Sequence, residues 1–473
     1  MRCFRPGAVA GAAAVALASC TAPSQPVDLV VRDVTVIDAR NGVREAQTVA
    51  VDGGRIVSVG DAAEMESFGG AETVDGAGRY LIPGLWDFHV HFTYDARLTD
   101  AMPRLFLHHG ITSVRDTGGP LERVLPVVER LRAEGAVGPR VFFAGPLLDG
   151  RDVVYDGDNR PLLGIANPDP ATARANVARL DSAGVDFLKI YEMVSPEVFR
   201  TLVEEAHARG LPLDGHVPLS MPARVVAPEM QSLEHLRNLE MDCAAGRDSL
   251  LAERRRLLEN PEGVEGATLR SRVHGLQRLA AIADYDEEEC ADLIGALGST
   301  IQVPTLRLNS QSLSSPFDRP DWEEVLGKLP PDVRADWGAA AEESRRSTEE
   351  PDTTFAAWSL FLVGLLDEAG VPIGAGTDTP IGSAAPGYSL HSELEMLVRA
   401  GLKPMEALEA ATVRPAEFFG REDEMGTIEP GRLADLVLLS ADPLDDIRNT
   451  RAIEGVVSKG VWWDREELDE LVP

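Results

Sequence analysis

The strongest constraint on the fold is a pattern repeated through the middle of the chain, in which a short apolar strand is followed by a helical stretch. Residues 184–191 read as a strand. Ser195 can cap the helix that follows and Pro196 suits its first turn, after which Phe199, Leu202, Val203 and Ala206 recur at helical spacing. Gly210 suits the helix stop, and residues 211–217 read as the next strand. A strand–helix–strand unit of this kind makes its two strands parallel neighbours. Similar units begin near Tyr80, Ile111, Arg140, Gln231, Ser299 and Val371, which with these two makes eight. Eight is the count of a TIM-like (β/α)8 barrel, an α/β fold whose strand C-termini converge on one mouth.

The two ends of the chain follow a different rhythm. Leu29-Val30-Val31, Val34-Thr35-Val36-Ile37 and Arg55-Ile56-Val57-Ser58-Val59 are strand-like, separated by turns at Asn41-Gly42 and Asp52-Gly53-Gly54. In the tail Gly426-Thr427-Ile428, Ala434-Asp435-Leu436-Val437-Leu438-Leu439 and Ile453-Glu454-Gly455-Val456-Val457 repeat the style. Residues 27–80 and 421–465 are therefore read as one small β-sandwich built from both termini, with the barrel spanning 81–420. Insertions are expected at about 243–297, charged and helical, and at about 309–351, rich in Ser, Pro and acid. Both would lie over a barrel face, as a lid or as decoration.

A barrel takes roughly 250 residues, and the 473 present leave room for these additions and a leader. The formal net charge of -32 repels phosphate backbones, which argues against a nucleic-acid partner. Arg2 and Arg5, followed by an Ala/Val-rich stretch, read as a signal peptide rather than a membrane span. The ending Leu17-Ala18-Ser19-Cys20 resembles a bacterial lipoprotein signal. That resemblance implies a signal over residues 1–20, export to the periplasm or cell envelope, and a lipid on Cys20 as the sole membrane attachment. Thr21 after the cysteine favours the outer membrane. Cys243 and Cys290 fit no metal spacing, and sequence leaves a disulfide and two free thiols equally open.

Five short segments carry chemistry. In Asp87-Phe88-His89-Val90-His91, strand alternation turns both imidazoles to one side, an arrangement suited to a divalent transition metal. In Val185-Asp186-Phe187-Leu188-Lys189-Ile190-Tyr191, a lysine amid apolar neighbours is costly unless something uses it, and Tyr191 shares its face. Asp214-Gly215-His216-Val217-Pro218 and Ser232-Leu233-Glu234-His235 each place a histidine at the close of a strand. In Gly374-Ala375-Gly376-Thr377-Asp378 the glycines leave room beside the carboxylate. Singly, each has an ordinary structural explanation. Together, four histidines, a lysine and an aspartate would meet at one mouth.

This ordered set resembles the amidohydrolase superfamily, specifically its two-metal type, and within it the imidazolonepropionase-like enzymes and related metal-dependent dipeptidases. Leu390-His391-Ser392-Glu393-Leu394, Ala407-Leu408-Glu409-Ala410-Ala411-Thr412 and Gly431-Arg432-Leu433-Ala434-Asp435-Leu436-Val437 extend the resemblance through the C-terminal part. It implies that His89, His91 and Asp378 bind one divalent ion and His216 and His235 a second. Lys189, N6-carboxylated, would bridge them. Zinc is the metal a histidine-rich shell favours. It further implies a metal-bridging hydroxide that attacks an amide carbon, with Asp378 as general base and then acid, and Tyr191 beside the developing oxyanion.

The expected substrate is a small molecule, a dipeptide or N-acyl amino acid whose carboxylate is held by His391 or Arg307, with Tyr191 also contacting the substrate. Opening of a cyclic amide, or deamination, is the alternative. A non-catalytic ligand-binding lipoprotein is a further one. Homo-oligomerisation is left open.

Overall fold

In a computed structural model of the chain, the described residues are 25–61, 65, 68–158, 160–260 and 262–473. The proposed leader and Cys20 lie outside them. No described helix is long and apolar enough to cross a membrane.

The two ends of the chain meet in one eight-stranded sheet. Across it run Val461–Asp464, Ile453–Ser458, Leu436–Leu439, Tyr80–Pro83, Gln25–Asp38, Gly42–Asp52 and Arg55–Asp61, with Phe68–Asp75 also pairing Gln25–Asp38. Leu436–Leu439 is antiparallel to Tyr80–Pro83 and to Ile453–Ser458, so the C-terminal strands complete a sheet begun at the N-terminus. Leu29, Val31, Val34, Val36, Leu81, Leu436 and Leu438 form one buried cluster from both ends. The segment at 426–428 is not a strand; Gly426 has φ 90° and a Cβ there would come 2.9 Å from the Thr412 carbonyl. This stretch is held as a turn, with Ile428 buried and its N–H donating to Asp38.

The middle of the chain is α/β with parallel sheets. One runs Leu85–Val90, Ile111–Asp116, Arg140–Phe143, and the other Gly164–Ala166, Leu147–Asp149, Leu188–Ile190, Leu213–Gly215, Ser232–Glu234, Ile301–Val303. The strand read at 184–191 narrows to Leu188–Ile190, and the segment from Val371 forms no ladder at all. That last segment is nevertheless held on both sides. Gly374 N–H donates to Gln302 (2.9 Å), Phe88 N–H donates to Ala375 (3.0 Å) and Asp378 N–H donates to His89 (2.8 Å).

The helix Pro196–Arg209 follows the expected chemistry: the Ser195 side chain accepts from Val198 N–H, Pro196 opens the first turn, and Gly210 closes it at φ 67°. The insertion near 243–297 is helical, and Cys243 and Cys290 are joined by a disulfide across its base. Its longest helix, Gly266–Ala283, buries Leu269, Arg270, Val273, His274 and Gln277. The second insertion is built of short helices up to Pro331–Arg346.

Candidate metal centre

At the C-terminal ends of the parallel strands lies a cavity of about 320 Å³ lined by His89, His91, Lys189, Tyr191, His216, His235 and Asp378 among others. The expected set therefore comes together, from four strand ends and the segment that follows Val371. Two of the positions depart from regular backbone. His235 has φ 58° and Asp378 φ 60°. Left-handed backbone at a non-glycine residue costs of order 1–3 kcal/mol and persists only where surroundings enforce it. At His235 the departure breaks strand alternation, so that Glu234 and His235, consecutive in sequence, both face the site. Glycine is required nearby: a Cβ on Gly376 would fall 2.7 Å from His89 Cβ.

The orientation of the four imidazoles is the most informative feature. His89 Nδ1 lies 2.5 Å from Glu234 Oε2, and His91 Nδ1 lies 3.1 Å from the Gly118 carbonyl. His216 Nδ1 lies 2.7 Å from Glu192 Oε1, and His235 Nδ1 lies 2.7 Å from the Thr305 hydroxyl. The two carboxylates and the Gly118 carbonyl accept, so Nδ1 of His89, His91 and His216 carries the proton and Nε2 keeps its lone pair; the Thr305 hydroxyl can accept from His235 in the same way. Such outward acceptors fix a metal-ligating histidine and raise its basicity. Burial drives His89 and His216 down to about 3, and His235 well below the usual imidazole range, so these rings are uncharged near neutral pH.

Asp378 Oδ1 lies 3.2 Å from Nε2 of both His89 and His91, and Oδ2 lies 3.9 Å from Nε2 of His235. Facing lone pairs rather than N–H groups, the buried Oδ1 receives no hydrogen bond. A buried acceptor beside nitrogen lone pairs is a donor set of the kind that suits a cation. Ligand atoms of His89, His91 and Asp378 lie within 4.8 Å of one another, as do those of His89, Glu234 and His235. This chemistry, nitrogen-rich with one carboxylate, fits a divalent transition metal.

Beneath the histidines is a buried cluster of charges. Arg115 donates to the Phe88 carbonyl (2.7 Å), to Ser232 Oγ (2.9 Å) and to Glu234, and its guanidinium lies 3.5 Å from the centre of the Phe88 ring. Lys189 Nζ is 2.9 Å from Asp214 Oδ2 and 3.8 Å from Glu234 Oε1, yet completes no hydrogen bond with either. Tyr191 stacks near His216 with ring centres 4.4 Å apart, and burial raises its hydroxyl well above the usual tyrosine range.

Two expected substrate-binding residues are elsewhere. His391 is buried away from the cavity, with Nδ1 2.9 Å from Thr450 Oγ1 and Nε2 3.0 Å from the His109 carbonyl, so neither nitrogen is free. Arg307 spends its guanidinium on the carbonyls of Thr377 (3.2 Å), Ile381 (2.8 Å) and Gly382 (2.8 Å). It therefore holds the backbone on either side of Asp378 and does not face the cavity.

The cationic wall comes instead from residues that sequence reading did not single out. Arg160, Arg237, Arg270 and Arg278 line the cavity, the last two from the insertion helix Gly266–Ala283. Glu192 ties this helix to the centre, accepting from His216 (2.7 Å), Arg270 Nη2 (2.8 Å) and His274 Nε2 (2.6 Å). The only signal for Glu192 in the sequence was its position directly after Tyr191. For Arg270 and His274, at i and i+4 on one helix, the spacing was visible but its direction was not.

Residues 361–463 match the amidohydrolase family model. An imidazolonepropionase of Acidiphilium cryptum (strain JF-5) is 26% identical over 417 residues, covering 86% of this chain and 90% of that protein. A crystal structure from Bifidobacterium longum, assigned provisionally as a prolidase, is 25% identical with a TM-score of 0.64, over 94% of this chain and 98% of that one. Bottromycin amidohydrolase is 24% identical with a TM-score of 0.69, over 93% of this chain and 88% of that one, a likeness of fold.

Proposed function

We propose, starting from a chain that carries an amidohydrolase-family domain and hydrolyses carbon–nitrogen bonds, that its substrate is a dipeptide or N-acyl amino acid cut at its amide. The observation that carries this is the placing of His89 and His91 Nε2 3.2 Å from the bare Oδ1 of Asp378, with His216 and His235 on the same cavity, beside a wall of arginines. The arginines take the part first assigned to His391 and Arg307, holding a substrate carboxylate by paired N–H bonds.

The parallel strands are read as one closed barrel. Its seams are the hydrogen bonds of the last segment to Gln302 and Phe88, and Asp186 N–H donating to Phe143 (2.9 Å) between the two parallel sheets. A closed barrel accounts for ligands from separate strands meeting at one end.

His89, His91 and Asp378 would hold one divalent ion, zinc by preference, and His216 and His235 a second, with Lys189 between them as its carbamate. In forming that carbamate the neutral Nζ bonds to the carbon of CO2, and the proton released goes to solvent. Lys189 in this role becomes an anionic oxygen ligand, which explains a lysine only 1% exposed beside two histidines. Bound divalent cations supply acidified water and a polarised scissile carbonyl. Asp378 Oδ1 takes the water's proton, and the same proton passes to the amide nitrogen as the C–N bond breaks, releasing amine and carboxylic acid. Tyr191, kept as a neutral phenol by its burial, can donate its O–H to the oxygen on which charge develops. Export and anchoring through Cys20 complete the reading, in keeping with the Cys243–Cys290 disulfide, since such bonds persist in oxidising compartments.

Assay of the zinc-loaded protein against a dipeptide panel, with metal content measured, tests this. Turnover with two ions per chain is expected; no turnover of any dipeptide removes the substrate reading. Ring opening of a cyclic amide is the second reading, favoured by the length of the match to the Acidiphilium protein. Turnover of a cyclic amide in preference to every dipeptide would select it. Deamination is disfavoured by the lysine and would be indicated by a single ion per chain.

A further inference from the structure

The charges around the cavity mouth do not balance, and the imbalance bears on the substrate. Four guanidinium groups line the cavity, those of Arg160, Arg237, Arg270 and Arg278. Two buried carboxylates answer them. Glu192 pairs with Arg270 but also accepts from His216 and His274. Glu240 lies 3.5 Å from Arg278 Nε without completing a hydrogen bond. Arg237 has no ion-pair partner among the described residues, and its Nε is buried without a hydrogen bond. Arg160 is likewise without an ion pair among the described residues; its guanidinium stands 5.6 Å from the Tyr155 ring centre. In a protein of formal net charge -32, this local excess of cations is a built feature of the cavity.

The excess is also spread out. Arg270 stands 6.0 Å from the Tyr191 ring centre and Arg160 stands beside Tyr155, and the two rings are 5.8 Å apart. A single carboxylate would answer one of the two guanidinium groups that lack an ion pair among the described residues, Arg160 and Arg237, and leave the other bare. A compact dianion such as phosphate would do the same. Two carboxylates separated by a short carbon chain would meet both, each bidentate in the manner guanidinium groups favour.

Resting on the amide-hydrolase reading above, we infer that the residue on the amine side of the scissile bond is acidic, so that the leaving amine is aspartate or glutamate. The main-chain carboxylate and the side-chain carboxylate would together neutralise the arginine wall. The bond chemistry is unchanged: the amide C–N bond is hydrolysed and its nitrogen gains the proton. Peptides ending in Asp or Glu and N-acyl derivatives of these residues share the required chemistry, and the assay separates them.

The experiment compares kcat/KM of the metal-loaded protein for Gly-Glu, Gly-Gln, Gly-Arg and N-acetylglutamate. Alongside it, calorimetry of the metal-free protein compares glutarate, butyrate and inorganic phosphate. Gly-Glu or N-acetylglutamate should exceed Gly-Gln by tenfold or more. Glutarate should bind at least tenfold more tightly than butyrate or phosphate, with an affinity that falls as salt is raised. Arg160→Gln and Arg237→Gln should each shrink the Glu-over-Gln ratio at least fivefold, with folding checked by thermal melting. Equal turnover of Gly-Gln and Gly-Glu, or faster turnover of Gly-Arg, overturns the inference while leaving the dipeptidase reading intact. If no amide is cut, the calorimetry decides: selective glutarate binding upholds a dicarboxylate site, and binding of glutarate no tighter than butyrate or phosphate removes it.

Discussion

Two histidine clusters are buried in this molecule, and only one is arranged to do chemistry. His89, His91, His216 and His235 each give Nδ1 to a protein partner and line one cavity, with Nε2 of His89, His91 and His235 turned toward Asp378. In the other cluster His108, His109 and His391 lie with ring centres 4.7 Å and 6.2 Å apart along the series. There His391 has both nitrogens bonded, and His108 Nδ1 is held by the Leu468 carbonyl at 3.0 Å and by Arg465. Burial lowers His89, His216 and His235 in one cluster, and His108 to about 4 and His391 to about 3 in the other, so a lowered pKa does not separate them. What separates them is a free lone pair facing a carboxylate. Among the described residues, the groups of ligand atoms close enough for an ion all contain His89.

The largest effect that would sharpen this contrast is at Asp378. Asp378→Asn should lower kcat by roughly a thousandfold at saturating metal, as expected for loss of a proton-transfer group. A loss under tenfold would erase the distinction drawn between the clusters. Next comes Glu192→Gln, which removes the anionic acceptor from His216, Arg270 and His274 together. Metal affinity measured against a competing chelator should fall about 10- to 100-fold, the usual cost of losing such an outer partner. Unchanged affinity would mean that His216 needs no orienting.

The smallest effect on activity belongs to His391→Gln, which should leave kcat within about twofold and act on stability. With its folded pKa near 3, His391 is neutral in the native state, while its unfolded counterpart takes up a proton below about 6.5. Its contribution is therefore fully present above pH 6.5 and is lost as pH falls toward 3. Thermal melts between pH 7 and 4 should show a shallower acid slope in the variant. An identical slope, with activity lost, would place His391 in the site after all.

The side chains proposed as metal ligands were legible in the sequence because their convergence needs only alternation and parallel strand ends. His89 and His91 declare themselves by spacing, and Asp378 by the small residues that precede it. Glu234 stood in plain view beside His235, but alternation sends neighbours to opposite faces, and only the left-handed backbone at His235 brings both inward. His391 misled because a histidine in a helix after the last strand looks available; its two partners, Thr450 and the His109 carbonyl, come from distant parts of the chain. The arginine wall was illegible for the same reason. Arg270 and Arg278 reach the cavity from an insertion whose docking, closed at its base by Cys243–Cys290, no local pattern encodes.

The shared sheet of the two termini has a consequence for biosynthesis. Strand Tyr80–Pro83 leaves the ribosome before the parallel-sheet region, yet its neighbour Leu436–Leu439 is made only after that region. Until then one side of that early strand is an open edge, the kind of surface that recruits other chains. The sheet is thus sealed only after the segments proposed to carry the chemistry have all been made. A nonsense codon between Asp378 and Leu436 would leave every proposed metal ligand in place and still yield a sticky, aggregating product.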